Sequence, residues 1–346
     1  MTKVKWQMPG PVLAIVGGLL IGAVIMLFSG NNPLEGYSAM FFGALGGRNG
    51  TNLASTLARA APIVGMGLTA AIASRAGFFN LGGEGQLVLG GLAAALVALN
   101  VPLPAFLLVP LTILVAMLVG GAFALLPTWA QFNFRVPMLI STLLLNYPAR
   151  FFASYVVVNL VRDVASGMPQ THQIDEGLQF PLLLSGTQLH AGVFITLVVA
   201  IATTMFISKS VAGYELRMMG LNPRFAEYGG VPMRKLGYAV MFASGAIAGL
   251  VGAIEVLGVN YRFIDDALTS PQYAWVGLMA ALLSGGAPLG VLVAGLFFSA
   301  VQTGGFGMER ATEIPRELAR VLQAVIILFV AVRGGGGRDW RPGSKE

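Results

Sequence analysis

Long apolar runs alternate with short polar breaks along this chain, in a pattern that a water-soluble surface cannot use. Apolar windows fall at 11–29, 53–74, 86–99, 103–126, 137–160, 190–208, 237–259, 273–285, 289–303 and 319–332. A helix needs about 20 apolar residues to cross a bilayer. Several windows reach that length. The shorter ones are expected to tilt or to pair with re-entrant stretches. The pattern predicts an all-α integral membrane protein, one polytopic domain over 1–346, with about ten transmembrane helices and eight as the lower bound. Two polar segments, 162–189 and 209–236, are the largest breaks. The first window follows Lys3 and Lys5, as a secretory signal does, but it is long enough to span and no clean small-x-small site follows it. It is expected to remain as the first span.

Composition supports the same class. Of the 346 residues 56% are hydrophobic and 10% charged, against about 25% charged in a soluble domain. The 46 glycines suit closely approaching helices in lipid. With no cysteine there is no disulfide framework, thiolate metal site or cysteine nucleophile. No GxxxxGK[ST] run exists, so the chain has no phosphate-cradling loop. His172 and His190 flank one outer loop without metal-ligand spacing and read as plain surface residues. Ser141 has no histidine near it in sequence. Nothing points to an enzyme.

The net charge of +6 and pI near 9.8 raise the question of nucleic acid. Charge placement answers it. With the N-terminus inside and the spans alternating, the inner side collects Lys3, Lys5, Arg75, Arg135, Lys209, Arg217, Arg224, Arg234, Lys235, Arg333, Arg338, Arg341 and Lys345. The outer side collects Arg48, Arg162, Arg262, Arg310, Arg316 and Arg320, while Arg59 and Arg150 fall inside spans. Basic residues are expected to concentrate on the cytoplasmic face. The basic pI is thus a topology signal for a multi-pass protein of the cytoplasmic membrane with both termini inside, and no nucleic-acid partner is expected.

Polar groups within the apolar runs are costly and need a reason. In Gly77-Phe78-Phe79-Asn80-Leu81-Gly82-Gly83-Glu84-Gly85-Gln86 the glycines let the backbone leave helical geometry. Two readings fit: Asn80, Glu84 and Gln86 line a translocation pathway, or they cap neighbouring helix ends. In Ser141-Thr142-Leu143-Leu144-Leu145-Asn146-Tyr147, Thr142 and Asn146 share one helix face. They either line the pathway or bond across helices. Glu255, inside the window 237–259, is reachable by water or paired with Arg59 or Arg150. In the loop 209–236, Gly220 reads as a helix stop and Asn222-Pro223 as a new helix start. Phe225 and Tyr228 then share a face. A helix lying on the membrane surface and a knob docking on a soluble partner fit that pattern equally.

These stretches resemble the permeases of bacterial ATP-binding-cassette importers for simple sugars, nucleosides and branched-chain amino acids. The resemblance is carried by Asn80 to Gln86, Ser141 to Tyr147, Gly213-Tyr-Glu215-Leu-Arg217-Met-Met-Gly220-Leu-Asn222-Pro223 through Gly230, and Ser244 to Gly252, and it covers roughly 53–332. Ser74-Arg75-Ala76-Gly77 ahead of the Asn80 motif looks most like the nucleoside branch. Met218-Met219 departs from the small or β-branched residues more often found there. The resemblance implies the vitamin B12 importer type of architecture (type II), a second permease subunit, two cytoplasmic ATPase subunits and an extracytoplasmic solute-binding protein. It implies no cofactor on this chain, because ATP is used by the partner. It makes 209–236 the ATPase-coupling loop, through Glu215, Arg217, Gly220, Asn222, Pro223, Phe225 and Tyr228. An ion-coupled secondary transporter or a channel is the competing class.

Overall fold

The structure, a computed structural model, describes residues 10–47 and 50–335. Its helices in chain order are α1 (Gly10–Phe28), α2 (Pro33–Leu45), α3 (Thr51–Arg75), α4 (Gly83–Asn100), α5 (Ala105–Phe134), α6 (Met138–Asn159), α7 (Gly192–Lys209), α8 (Val211–Leu221), α9 (Pro223–Tyr228), α10 (Met233–Glu255), α11 (Tyr273–Leu283), α12 (Pro288–Ala311) and α13 (Glu317–Gly335). A π-helical turn, Val256–Asn260, prolongs α10. Extended pairing among the described residues is limited to two isolated bridges, Gln170 with Ile264 and Leu182 with His190.

Among the described residues six helices are long and apolar enough to cross a membrane: α3, α4, α5, α7, α12, and α10 with its π turn. This overturns the expectation of about ten crossings, and with it the vitamin B12 importer type of architecture. The physical reasons differ by helix. The window 273–285 became α11, whose 11 residues span roughly 16 Å at 1.5 Å per residue. The window 137–160 became α6, which has 22 residues but carries Thr142, Asn146, Arg150 and Ser154. The apolar part described for α1, Val12–Phe28, is short of a crossing. α13 opens with Glu317 and Arg320. The placement of both termini, with Lys3, Lys5, Arg338, Arg341 and Lys345, lies outside the described residues, as do Arg48 and the side chain of Arg333.

α3 and α10 form the centre, with 89% of each apolar stretch buried, while α5 and α7 bury only 28%. The α4, α5 and α10 helices cross with almost no side chain between them. Gly90 meets Gly249, and Gly120 meets Gly245 and Gly249. Without a hydrophobic drive between helices in lipid, such backbone contact supplies the packing energy. A side chain at 249 would run into the Ala116 carbonyl. Gly249→Val is therefore expected to cost about 2–3 kcal/mol, the upper part of the overpacking range. Gly177→Ala, with nothing within 4 Å of the added carbon, is expected to be neutral. Thermal unfolding of the two variants in detergent checks both.

The polar segment 162–189 is fastened across the end of this core. Thr171 N donates to Phe263 O (2.9 Å), Ile174 N to Tyr261 O (2.8 Å) and Phe180 N to Leu257 O (2.9 Å). The backbone of the segment thereby finds partners in the stretch that follows α10.

Candidate functional site

After Arg75 the chain leaves the helix. Ala76 and Gly77 turn it, Gly77 with φ +81°, and 78–82 lies outside the helices until α4 starts at Gly83. The segment is packed well inside the protein: Gly83 lies against Met66, past the midpoint of α3. Non-helical backbone at that depth needs partners from protein or water.

The side chains singled out in the sequence supply them. Asn80 Nδ2 donates to Gln86 Oε1 (2.9 Å) and to Ser244 Oγ (2.8 Å), and Ser244 Oγ donates to Thr69 O (2.8 Å). Asn80 Oδ1 accepts from Gly82 N (3.0 Å) and Gln86 Nε2 (3.1 Å). From α6, Thr142 Oγ1 accepts from Leu81 N (3.2 Å) and Asn146 Nδ2 donates to Leu81 O (2.8 Å). Asn146 Oδ1 accepts from Gly85 N (2.8 Å). The four-residue spacing of Thr142 and Asn146 matches one turn of α6 to two points of the segment. Asn80, Gln86, Thr142 and Asn146 are all buried, and their polar atoms knit α3, α4, α6 and α10 together.

Glu84 faces the other way, into a cavity of about 300 Å³ lined by Asn146, Tyr147, Arg150, Asp266, Gln272 and Trp275, among others. Arg150 Nη1 stands 3.5 Å from Glu84 Oε1, and Arg150 Nη2 donates to Asp266 Oδ1 at 2.7 Å. Thr269 Oγ1 donates to the same Asp266 oxygen (3.0 Å), and Ser154 Oγ donates to Asp265 Oδ2 (2.7 Å). The hydrogen bond from Arg150 holds the Asp266 carboxyl below the usual carboxylate range. Arg150 thus joins α4, α6 and the 264–272 connection through one guanidinium. Glu255 does not line this cavity. It is 2% exposed at the end of α10, beside Tyr273, and its Oε1 has no hydrogen-bond partner among the described residues. Arg150, one of the two bases considered for it, is engaged with Glu84 and Asp266 instead.

The loop 209–236 is built as two helices. Ser210 Oγ accepts from Gly213 N (2.9 Å) and caps α8, and Asn222 Oδ1 accepts from Phe225 N (3.0 Å) and caps α9. Leu216, Met219 and Ala226 are buried against Ile72, Ile207, Leu236 and Val240. The unusual Met219 is thus a core residue. Arg217 Nη1 donates to Ile207 O (2.7 Å). Gly220 sits on the Arg75–Gly77 turn, where any side chain would meet the Arg75 carbonyl. Leu221, Phe225 and Tyr228 project outward, Tyr228 being 92% exposed. Asn222 and Pro223 are exposed and Glu215 half-buried. Arg217 and Gly220 border the same cavity, about 300 Å³, as Ser74, Phe79 and Asn80.

The sequence of residues 52–331 matches the family model described as the permease component of branched-chain amino acid transport systems. The chain belongs to this permease family. It is 34% identical over 325 residues to the guanosine ABC transporter permease protein NupP of Bacillus subtilis, covering 93% of this chain and 92% of that protein. It is 32% identical over 332 residues to the nucleoside ABC transporter permease protein NupB of Lactococcus lactis, covering 93% and 90%. It is 32% identical over 330 residues to the glucose ABC transporter permease protein TsgB13 of Haloferax volcanii, covering 92% and 86%. The permease is the non-catalytic membrane component of an ATP-binding-cassette importer for a small polar solute, and a multi-pass protein of the inner membrane. Its family works alongside an ATPase and a solute-binding protein.

Two features of this permease escaped the sequence. Asp266 lies in a polar connection, where a charge attracts no notice; only Arg150, a base within an apolar window, signalled that a partner was needed. His190, read as a surface residue, is fully buried and stacked on Phe180 with ring centroids 5.9 Å apart. Burial lowers its pKa from 6.5 to about 4. The unfolded chain therefore takes up this proton first as pH falls. The stabilising effect of a neutral His190 is intact above about pH 6.5 and is lost toward pH 4, a drop of about 3 kcal/mol. Unfolding temperatures of the detergent-solubilised permease between pH 7.5 and 4.5 are expected to fall over this window, and less steeply for His190→Gln.

Proposed function

We propose that this permease imports a nucleoside-type solute, working with a second permease subunit, two ATPase subunits on the 209–236 side and a binding protein on the other. The carrying observation is the α8–α9 unit. Its short second helix is capped at Asn222 and presents Phe225 and Tyr228 to the outside next to Leu221 of α8, and the unit is seated through Gly220 in the last turn of α8 on the turn that begins the Asn80 segment. A surface-lying helix needs no such seat. A docked one does, because a push on α9 must reach the pathway without being absorbed by slack. Glu215, Arg217, Gly220, Asn222, Pro223, Phe225 and Tyr228 are assigned to coupling. Glu84 is assigned to the pathway wall. Asn80, Gln86, Thr142 and Asn146 border the pathway as its support, and Glu255 lies behind it.

The nucleoside assignment draws on the names of NupB and NupP. It also draws on a cavity with two aromatic side chains, Tyr147 and Trp275, beside carboxylates that accept hydrogen bonds from hydroxyl groups. Glucose, the solute named for TsgB13, has no aromatic base to add π-stacking to these contacts. Uptake of labelled nucleosides and of glucose by cells expressing the whole importer, with and without the binding protein, tests the reading. Glucose uptake with no nucleoside uptake would reject the solute class. A complex from which the ATPase stays bound after deletion of α9 would reject the docking assignment.

A further inference from the structure

The cavity beside the α8 seat has an unbalanced charge. It encloses about 300 Å³ between the end of α3, the stretch 78–80, α8 and α11, the lower end of the range for small-ligand sites. Arg75 from the last turn of α3 and Arg217 from α8 line it, and no carboxylate does. Gly220, three residues on from Arg217 and so on the same face of α8, rests on the Arg75 carbonyl. That contact brings the two half-buried guanidinium groups to one space. Arg75 donates from Nε to Gly286 O (2.9 Å) and Arg217 from Nη1 to Ile207 O (2.7 Å). Those bonds fasten each side chain and leave its other donors without a protein partner among the described residues. Other arginines of the chain meet carboxylates: Arg150 pairs with Glu84 and Asp266, and Arg316 with Glu309 and Glu317.

Two like charges held at one half-buried cavity repel each other, and an anion between them removes that cost. Planar guanidinium forks match a phosphate group. Phe79, 51% exposed, and Leu221, 70% exposed, add an apolar flank for the body that carries the phosphate. We infer that this cavity binds a phosphate ester, with its phosphate between Arg75 and Arg217, and that the bound ester pins α8 to the end of α3 and slows import. Two sources carry this chemistry. One is a phosphorylated form of the imported nucleoside, its base against Phe79; the other is the headgroup of an anionic lipid, its chains along Leu221. From the first source, a nucleoside that has received a phosphoryl group inside holds back further import. The slowing rests on the coupling reading given above, because it requires α8 to move during transport. The binding does not.

The chain has no cysteine, so Leu282→Cys, at an exposed position lining the cavity, reports on this space alone. The complete importer carrying it is placed in phosphatidylcholine nanodiscs, and modification of 282 by a water-soluble thiol reagent is followed by peptide mass. Guanosine monophosphate is expected to protect 282 at a concentration at least about tenfold lower than guanosine, since only the former makes hydrogen bonds to charged donors. Arg75→Gln and Arg217→Gln are each expected to raise the protecting concentration at least about tenfold. Ser74→Glu, at an exposed lining position, offers the two arginines a carboxylate of the chain itself. It is expected to abolish protection without lowering the unfolding temperature, which separates loss of the site from loss of the fold. If guanosine monophosphate has no effect, but exchanging phosphatidylcholine for phosphatidylglycerol protects 282 and Ser74→Glu reverses this, the phosphate is the lipid's. Equal protection by guanosine, or none from either source, overturns the inference. Uptake into proteoliposomes with guanosine monophosphate on the 209–236 side is expected to slow for the parent chain and not for Ser74→Glu. Protection of 282 with unslowed uptake keeps the phosphate site and overturns the pin, together with the coupling reading beneath it.

Discussion

Gly220→Val is expected to stop solute uptake while leaving the permease in the membrane. Gly220 is where α8 rests on the Arg75–Gly77 turn. A β-carbon there would collide with the Arg75 carbonyl and crowd Gly77 N. A carbonyl at the end of α3 cannot move aside cheaply, because α3 is buried along nearly its whole length and Arg75 itself donates from Nε to Gly286 O (2.9 Å). The unit α8–α9 must lift instead. Lifting it separates Met219 and Leu216 from Ile72 and Val240 and opens the cavity that Gly220 shares with Asn80. Free energies that link two sites run at about 1–3 kcal/mol, so losing the seat is expected to lower uptake by one to two orders of magnitude. Gly229→Ala, whose added carbon meets nothing closer than 3.4 Å, is expected to transport normally. Reconstituted importer supplies the measurement: uptake and the ATPase stimulation caused by loaded binding protein, read side by side. Full uptake by Gly220→Val would remove the seat from the mechanism.

How far the sequence carried this picture depends on the kind of feature. The windows 53–74 and 237–259 lie within α3 and within α10 with its π turn, because uniform burial and uniform apolarity coincide there. The count of crossings failed where hydropathy and length part company. The residues 273–285 are apolar enough, but Gln272 with φ +58° and the Gly285-Gly286 turn cut α11 to 11 residues, and a window average cannot see either end. Asn80, Thr142 and Asn146 stood out because amides and hydroxyls in apolar runs demand partners. Their actual partners, Leu81 and Gly85 for Asn146 and Ser244 for Asn80, lie 61 to 164 residues apart in sequence. That distance is closed by the fold and left no local trace. His190 was misread for the opposite reason: it stands beside a polar outer loop, but Phe180 and Gly258 beyond the α10 end cover it.

Arg150→Leu is expected to be the most damaging single change in the cavity, and its rescue separates two roles for the cluster. Removing the guanidinium leaves Glu84 mostly buried and Asp266 without its 2.7 Å donor. Breaking a fully buried pair costs about 3–5 kcal/mol, and a partly exposed one less. A destabilisation of about 2 kcal/mol is expected here, together with a loss of uptake of more than about tenfold. Arg150→Leu combined with Glu84→Gln and Asp266→Asn has no orphaned charge left. Its unfolding temperature is expected to return most of the way, since uncharged groups of similar shape often replace an ion pair at little cost. Uptake is expected to stay low, because the passing solute has lost the charged groups that replace its water. If uptake recovers together with stability, the cluster is a structural clamp and Glu84 drops out of the pathway wall. If stability recovers alone, the wall needs its charges, and the knot formed by Asn80, Gln86, Thr142 and Asn146 is what holds Glu84 in position to present one.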